Sequence, residues 1–244
     1  CDLHPDYSSS RYGEVMKKSL KISLLSVQHH HAHIASCMGE NMLPLNHEPI
    51  LGIALDGMGL GKDDTIWGGE FLLSDYRSCE RIACFNPIPL LGGNKAMKEP
   101  WRNIAAHIIT HFGWDHFFEK YGKLELASFL KEKPLIPLNF SKTLYPSTSS
   151  CGRLFDAVSA SLGICREEVS FEGQAAMALE TIADKSLTEK YNFDYKLHKI
   201  SKIPTIDSKL MWKELFFDIS NGCKDSIISA KFHNGLAESI ISIT

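Results

Sequence analysis

Blocks of hydrophobic and polar positions along the chain predict strands and helices in alternation. Residues 21–27 have the length and the branched side chains of a buried strand, and the histidine-rich stretch that follows is patterned as a helix. Residues 50–73 predict a β-hairpin whose first strand ends at Asp56 and whose loop carries several glycines. Alternating apolar residues over 191–197 predict a further, half-buried strand.

Apolar residues at three- and four-residue spacing predict helices in the remaining segments. One helix follows Pro100, and another is expected to be capped by Ser149 or Ser150, because serine oxygens accept hydrogen bonds from the first turn. A short strand and a helix capped by Asp207 or Ser208 are predicted near the end. The predicted helices lie within residues 101–113, 147–164, 171–184, 208–220 and 229–244. This alternation indicates the α/β class.

Two prolines, Pro44 and Pro49, interrupt the pattern and predict a boundary between two units, residues 1–48 and 49–244. The first residue is Cys1, and the last predicted helix carries no capping residue. We therefore expect a piece of a longer polypeptide, incomplete at both ends.

Composition narrows the class of protein. The chain has 244 residues, 44% hydrophobic and 23% charged, which fits one large domain or two lobes. A formal net charge of −3 disfavours nucleic-acid binding through a basic surface, and no apolar run is long enough to predict a membrane span. The 7 cysteines form no Cys-x-x-Cys pair, which indicates reduced thiols and a cytoplasmic protein.

Four histidines, His29, His30, His31 and His33, are the first candidates for chemistry. At about 100° per residue, His29 and His33 share one face of a helix, so that both could bind one divalent ion. The His-Glu-x-x-His motif is absent, because His30 stands in place of the glutamate. The alternative is an exposed helix with solvated histidines, which is what we expect of His30 and His31.

Asp56 ends an apolar strand and is followed by Gly-x-Gly-x-Gly. Glycine lets backbone N–H groups approach phosphate oxygens, so this loop is a candidate for phosphate binding. It can also be a hairpin turn that needs positive φ. It is neither a Walker loop nor a dinucleotide fingerprint, since it lacks Gly-Lys-Ser/Thr and a strand follows it.

Further polar residues and glycines cluster near predicted helix starts. Lys95 and Arg102 flank the start of the helix predicted within residues 101–113. For each of these charges, exposure to solvent is the simpler explanation. Asp156 lies one turn into another helix and could accept ribose hydroxyls or support the helix dipole. Gly173 begins a third helix, where a purine or a phosphate could lie against bare backbone.

Taken in order, these motifs closely resemble the C-terminal part of the HypF family of carbamoyltransferases over nearly the whole chain. The resemblance is weaker to tRNA threonylcarbamoyltransferases and antibiotic O-carbamoyltransferases. It implies a two-lobed actin-like ATPase (ribonuclease H-like) α/β fold. The motifs that carry it are CDLHPDY, VQHHHAHIASCM, ALDGMGLGKDDTIWGGEF, LLGGNKAMKEPWR, SSCGRLFDAVSASLGI and FEGQAAMALE.

The resemblance also implies roles for individual residues. The implied metal ligands, for zinc or iron, are His29, His33 and Asp56. The implied catalytic residues are Asp56, Lys95 and Arg102. The implied contacts to the nucleotide and its phosphate are Asp56, Gly57, Met58, Gly59, Asp156 and Gly173.

By the same resemblance, carbamoyl phosphate and ATP give carbamoyl-adenylate in a separate domain. The present domain then passes the carbamoyl group to the C-terminal cysteine of a HypE-type partner, for the cyanide ligand of a hydrogenase iron. Upstream acylphosphatase, zinc-finger and adenylate-forming domains are implied in the full-length chain, with no nucleic-acid or membrane partner. The alternatives are a transferase of this fold acting on tRNA or an antibiotic hydroxyl, and a non-catalytic metal- or nucleotide-binding fragment.

The chain departs from the family pattern in its glycine loop. Met58 and Leu60 stand where the family usually has Thr and Tyr, which removes one possible phosphate donor. Lys98 replaces an arginine, keeping the charge but losing the bidentate fork. Because a further aspartate ligand and a covering strand are implied beyond the last residue, we expect apolar side chains of the last helix to be exposed, namely Leu236, Ile240 and Ile241.

Overall fold

The computed structural model describes residues 1–133, 145–198 and 200–244. In the part of the chain that it describes, seven strands form one mixed sheet in the order β4-β5-β2-β3-β7-β6, and β1 pairs with β2. The strands are β1 Ile50–Leu60, β2 Ile66–Ser74, β3 Cys79–Phe85, β4 Ile88–Pro89, β5 Ser147–Thr148, β6 Asp194–Leu197 and β7 Pro204–Asp207. The helices are α1 Ser8–Leu20, α2 His29–Glu40, α3 Trp101–His111, α4 Trp114–Tyr121, α5 Glu125–Glu132, α6 Cys151–Ser161, α7 Gln174–Ile182, α8 Lys209–Ser220 and α9 Asp225–Ile243.

The helix predictions are confirmed, including two of the expected caps. The Ser150 hydroxyl accepts a hydrogen bond from the Arg153 N–H and begins α6. At the start of α8 the capping group is the Asp207 carboxylate, which accepts from the Lys209 N–H. None of the helices within the described ranges combines the length and the apolar character that crossing a membrane requires.

The strand predicted over 21–27 is wrong. This segment makes a single isolated bridge, Asp2 to Val27, and most of its side chains are exposed, Leu25 at 75%. A strand forms only where a neighbouring backbone completes its hydrogen bonds, and the described residues give this segment only the first three residues of the chain. A local apolar pattern cannot supply that partner.

The prediction for 191–197 is only partly right. The strand β6 begins at Asp194, and the buried Tyr191 and Phe193 precede it. Within β6 the expected inward residues Tyr195 and Leu197 are exposed. The strand lies at the edge of the sheet, so that pairing with β7 secures its backbone without burying its side chains.

The core lies between the sheet and the helices α3 to α9. Its largest fully buried side chains include Trp212, Phe216 and Phe117, and each contributes on the order of 2–3 kcal/mol of burial free energy. The final helix also joins this core. Leu236 is buried, contrary to expectation, whereas Ile241 is 69% exposed as expected.

Ile240 is partly buried against the same core. Gly235 allows α9 to pack closely against the backbone at Tyr191. A Cβ at that position would lie 2.3 Å from the Tyr191 carbonyl oxygen, so the helix approaches the chain closely there.

The predicted hairpin is confirmed as the antiparallel pair β1 and β2, but its turn begins later than predicted, because Gly57 and Gly59 lie within β1 and Gly61 lies in the turn. The strand continues past Asp56 to Leu60, and the turn is closed by the bond from Gly61 N to Thr65 O. Between the pairs Leu55–Gly69 and Gly59–Trp67 the register shifts, so that residues 56–58 stand opposite Gly68 alone. We call residues 56–58 the β1 bulge. Its extra residues leave the ladder and turn their groups toward the site.

Candidate active site

Helix α2 and the β1 bulge bring three predicted residues together. The Nε2 atoms of His29 and His33 are 3.1 Å apart, and Nε2 of His29 lies 3.3 Å from Oδ2 of Asp56. One nitrogen or oxygen atom from each side chain lies within 4.8 Å of the other two. We call these residues the His–Asp cluster. The histidines meet because they are four residues apart on α2, as the helical pattern predicts.

The prediction of solvated side chains is wrong for His30. The residue is fully buried, and its Nε2 lies 3.3 Å from Oδ2 of Asp56. The Gln28 amide sets the protonation of the ring. The oxygen of this amide accepts a hydrogen bond from the His31 N–H and its nitrogen donates to the Leu60 carbonyl, which fixes the orientation of the amide. The group that faces Nδ1 of His30 is therefore the nitrogen, which donates, and Nδ1 accepts. The ring proton of His30 therefore lies on Nε2, facing Asp56.

His31 is not simply solvated either. Its Nε2 contacts the Asp75 carbonyl oxygen at 2.7 Å, on a side of α2 away from the cluster. Helical periodicity separates the faces of α2, but it does not say which faces the β1–β2 hairpin covers. That depends on packing between segments distant in sequence.

Glycines of β1 allow α2 to lie directly on the strand. A Cβ at Gly59 would lie 2.6 Å from Cε1 of His30, and one at Gly52 would lie 2.3 Å from Cδ1 of Ile34. Neither approach is possible for a residue with a side chain. Gly59 thus has a packing reason to be glycine, in addition to the phosphate-binding role that the sequence suggests.

The electrostatics of the cluster favour an ionised Asp56. Burial alone would raise the pKa of this carboxyl, but the His30 ring, the Gly57 N–H and the nearby His29 together lower the pKa below its ordinary value. The Gly57 N–H donates to Oδ1 at 2.6 Å. Within the described residues, Oδ2 of Asp56 and Nε2 of His30 are buried and face each other at 3.3 Å, a contact that does not reach full hydrogen-bond geometry and leaves both atoms incompletely satisfied. A buried polar atom left in this way is a position at which a ligand fits.

Two residues of the CDLHPDY segment also reach the cluster. Oδ2 of Asp2 accepts a hydrogen bond from Nδ1 of His29 at 2.6 Å, and the Tyr7 ring centroid lies 5.7 Å from that of His29. Burial raises the pKa of Tyr7, and the negative charges of Asp2, Asp56 and Glu172 raise it further. The CDLHPDY motif contributes to the family resemblance, which implies no role for Asp2 or Tyr7.

A pocket of about 320 Å³ begins at the cluster. Four of the predicted nucleotide-contacting residues line it, together with Arg153 and Glu172, which sequence reasoning missed. Met58 completes the β1 bulge, and Gly59 lies against α2. The predicted residues in the pocket lining are Asp56, Gly57, Asp156 and Gly173.

Helix α6 approaches the β1 bulge at its first turn. The Ser150 hydroxyl bonds to the carbonyl oxygens of Asp56 at 2.8 Å and of Gly57 at 2.7 Å. A Cβ at Gly152 would lie 3.0 Å from Cα of Gly57, so the two backbones are in close contact. These contacts fix the bulge relative to the pocket wall that α6 provides.

Asp156 faces the pocket as a buried carboxyl. Its Oδ2 lies 2.9 Å from Nη1 of Arg153, three residues earlier on α6. Burial raises the pKa of Asp156 to about 6, and Glu172 adds to this effect, while Arg153 opposes it. The Arg-x-x-Asp spacing, which puts both side chains on one helix face, was the available signal for Arg153.

Gly173 precedes α7 with φ of +78°, a left-handed conformation that L side chains rarely adopt. No heavy atom lies within 4 Å of where its Cβ would be, so the backbone is open on the pocket side.

Lys95 and Arg102 lie away from these groups. Lys95 is exposed on the 3₁₀ turn Gly93–Met97. Arg102 pairs with Glu99 at 2.8 Å and covers the Trp101 ring, 4.3 Å from its centroid. Neither lines the pocket formed by the described residues, and their catalytic assignment stays a prediction.

Comparison with known proteins identifies the family. Residues 52–244 match the family model "Carbamoyltransferase, Kae1-like Domain, second subdomain", and residues 1–40 match the "HypF Kae1-like domain". The chain is 45% identical over 188 residues to the carbamoyltransferase HypF of Rhodobacter capsulatus, covering 75% of this chain and 24% of that protein. It is 39% identical over 256 residues to the HypF of a Synechocystis strain, covering 99% of this chain and 32% of that protein.

The fold agrees with that of a solved relative. The crystal structure of a full-length HypF in a phosphate- and nucleotide-bound form superimposes with a TM-score of 0.78 at 38% identity, covering 99% of this chain and 30% of that one. The α/β class and the actin-like fold predicted from the sequence are thereby confirmed. The chain spans about a quarter to a third of the length of these relatives. It belongs to the HypF carbamoyltransferase family, in which it corresponds to the C-terminal, Kae1-like domain.

Proposed function

We propose that this domain transfers a carbamoyl group from carbamoyl-adenylate to the C-terminal cysteine of a HypE-type partner. The observation that carries the proposal is the position of Asp56. It belongs both to the cluster with His29 and His33 and to the lining of the pocket that contains Asp156 and Gly173. The carbamoyl group of an adenylate held in this pocket would therefore lie beside the cluster.

The proposed metal ligands are His29, His33 and Asp56, and the proposed ion is zinc or iron. Two imidazole nitrogens and one carboxylate oxygen suit either ion. The buried Oδ2 of Asp56 supports this fit, because its 3.3 Å contacts with the two imidazoles do not reach full hydrogen-bond geometry in the described part of the chain. A bound divalent ion would polarise the carbamoyl oxygen as a Lewis acid.

The pocket residues are proposed to hold the adenylate. Arg153 is the proposed contact to the phosphate. A Cβ at Gly57 would lie 3.5 Å from Nη2 of Arg153 and 2.8 Å from Oε1 of Glu172, so the positive charge reaches the β1 bulge beside a carboxylate. Asp156 would accept hydrogen bonds from ribose hydroxyls, and the open backbone at Gly173 would leave room for the ribose or the base. The phosphate and nucleotide bound to the solved HypF relative support this part of the proposal.

The nucleophile in the proposed reaction is the thiolate of the partner. Its sulfur forms a bond to the carbamoyl carbon while the bond from that carbon to the phosphate oxygen breaks, and AMP leaves with the electron pair. Arg153 would stabilise the developing negative charge on the phosphate. The buried Cys151 is unsuited to compete, because burial raises the pKa of its thiol to about 12.

Lys95 and Arg102 remain proposed catalytic residues on the strength of the resemblance alone. Their surroundings favour Arg153 as the cation nearest the phosphate, because Arg153 lines the pocket of the described residues and Lys95 and Arg102 do not. Alanine substitution of each of the three cations separates these assignments. We expect Arg153→Ala to weaken nucleotide binding more than Lys95→Ala or Arg102→Ala does.

The source of the adenylate is also part of the proposal. Carbamoyl phosphate and ATP would supply it through an adenylate-forming domain of the full-length protein, upstream of this one together with acylphosphatase and zinc-finger domains. Transfer is measured by incubating full-length protein with its substrates and the HypE-type partner, followed by mass spectrometry of the partner's C-terminal peptide. A carbamoyl group on the terminal cysteine is the expected product, and an unmodified partner would contradict the proposal.

Histidine variants test the metal site directly. His29→Ala and His33→Ala are each expected to lose stoichiometric metal and transfer activity. His31→Ala is the matched control on the same helix, because its ring contacts the Asp75 carbonyl rather than the cluster. Elemental analysis in which only the His31 variant loses metal would refute the assignment.

The nucleotide site is tested through Asp156. Asp156→Asn keeps the size of the side chain but removes the charge that accepts the ribose hydroxyls, so affinity for a non-hydrolysable adenylate analogue should fall about tenfold or more. Isothermal titration calorimetry measures this affinity. Unchanged affinity with a large drop in melting temperature would instead indicate a structural carboxyl.

A further inference from the structure

We propose that Asp2 is a positioning residue for the metal site, fixing the His29 ring with its Nε2 lone pair directed at the ion. The inference rests on the metal site proposed above. It gives a role to the CDLHPDY segment, whose Asp2 lies 27 residues before His29 in sequence and contacts it only in the folded chain.

The hydrogen bond between Asp2 and His29 determines where the ring proton lies. Oδ2 of Asp2 is 2.6 Å from Nδ1 of His29, and a carboxylate only accepts hydrogen bonds. Nδ1 is therefore the protonated nitrogen, and Nε2 keeps its lone pair. Nε2 is also the atom that faces the cluster, 3.1 Å from Nε2 of His33 and 3.3 Å from Oδ2 of Asp56.

The Asp2 carboxylate is itself held in place. Its Oδ1 accepts from the His4 N–H at 2.7 Å, and its backbone carbonyl accepts from the Ser10 hydroxyl at 2.8 Å. Backbone bonds from Leu3 and to Cys1 join the segment to Val27, which lies just before α2. The side chain of Asp2 is only 13% exposed, so water competes weakly for the hydrogen bond.

Without this acceptor, nothing holds the His29 ring proton on Nδ1 or fixes the orientation of the ring. A free neutral imidazole prefers its proton on Nε2, which would occupy the atom needed for the ion, and the ring could rotate about its χ angles. Acceptors of this kind on metal-binding histidines typically change metal affinity by about 10- to 100-fold. Among the described residues, His33 has no equivalent acceptor at Nδ1, so the constraint acts on one ligand of the pair.

A simple structural link between the first residues and α2 is the competing explanation. It predicts that loss of Asp2 lowers stability without changing metal affinity in the folded protein. The two explanations are separated by Asp2→Ala together with a matched control, Asp6→Ala. Asp6 lies in the same segment and pairs with Arg11 at the surface, away from the cluster.

The experiment measures binding of Zn²⁺ to purified full-length protein by competition with a chromophoric chelator, with circular dichroism melting curves for each variant. The upstream zinc-finger domains also bind Zn²⁺, so the Zn²⁺ that His29→Ala retains is subtracted and the remainder is assigned to the His–Asp cluster. We expect Asp2→Ala to bind Zn²⁺ about 10- to 100-fold more weakly and Asp6→Ala to bind as wild type. The variant His29→Ala, which removes the ligand, should lose the site and serves as the reference.

The ring protonation is measured independently by nitrogen-15 NMR of the metal-free protein, with His29 assigned from the spectrum of His29→Ala. Wild type should carry the proton on Nδ1, and Asp2→Ala should shift it toward Nε2. If Asp2→Ala does not fold, the wild-type spectrum decides alone. A proton on Nε2 of His29 in wild type would overturn the proposal.

The outcomes also distinguish this inference from the metal site on which it rests. Wild-type affinity in Asp2→Ala, together with loss of metal in His29→Ala, would overturn the role of Asp2 and leave the metal site standing. Unchanged affinity in His29→Ala would overturn the metal site itself.

Discussion

The buried carboxyl of Asp156 should make the stability of this domain fall as the pH rises. Burial holds its pKa at about 6, above the ordinary value of 3.8, although Arg153 opposes the effect. The folded protein therefore keeps this proton at pH values where the unfolded chain has released it. Since the folded state binds more protons between these values, the free energy of unfolding decreases with increasing pH.

The size of the effect follows from the two pKa values. A difference from 3.8 to about 6 corresponds to about 3 kcal/mol in the free energy of unfolding when the full range is titrated. Between about pH 4 and pH 7.5, where the unfolded carboxyl is already partly ionised at the lower limit, about 2 kcal/mol remains. The side chain of Asp156 is only 6% exposed, so solvent screening reduces this value little.

Asp156→Asn removes the titrating group while keeping its size. Urea denaturation of wild type and variant, at intervals from about pH 4 to pH 7.5, gives the free energy of unfolding of each. The difference, wild type minus variant, should fall by about 2 kcal/mol across this range, because all other titrating groups are common to both proteins. The absolute stability of the variant is less informative, since it also leaves the Arg153 charge without its partner.

A second variant, Asp6→Asn, controls for the loss of one negative charge at an exposed position. Its difference from wild type should change much less over the same range than that of Asp156→Asn. Parallel stability curves for wild type and Asp156→Asn would refute the reasoning, because they would mean that Asp156 titrates alike in the folded and the unfolded chain. A difference that rises with pH would have the wrong sign.

Two further predictions concern a close packing contact at the site and a buried ion pair between β2 and β3. Gly59→Ala should destabilise the domain by about 1–3 kcal/mol and weaken metal binding, since its Cβ would lie 2.6 Å from the His30 ring. The control is Gly39→Ala in the same helix as His30, where nothing lies within 4 Å, and it should raise the thermal melting temperature slightly. Arg81→Ala should cost about 3–5 kcal/mol in urea denaturation, because it removes the counter-charge of the fully buried Glu70, 2.5 Å away. Recovery of most of that loss in Arg81→Met with Glu70→Gln is expected, and equal losses in single and double variants would contradict the ion-pair explanation.

Much of the local structure could be predicted from the sequence, because helix periods and caps depend on neighbouring residues. The i, i+4 spacing put His29 and His33 on one face of α2, and their Nε2 atoms are 3.1 Å apart. The Ser150 cap of α6 likewise depends on one hydroxyl and the backbone three residues on. The family, the actin-like fold and the expected metal ligands followed from the resemblance that the ordered motifs carry.

The tertiary structure alone decided which groups are buried and which segments pair. The apolar stretch 21–27 is not a strand, because strand formation needs a partner backbone that local pattern does not specify. His30 is buried because the glycines of β1 allow the hairpin to pack directly against α2. Tertiary structure also brings Asp2 into hydrogen-bonding contact with His29. It likewise places Asp56 in both the His–Asp cluster and the pocket lining. Each joins residues far apart along the chain, and such contacts form only when burial of a common core brings those segments together.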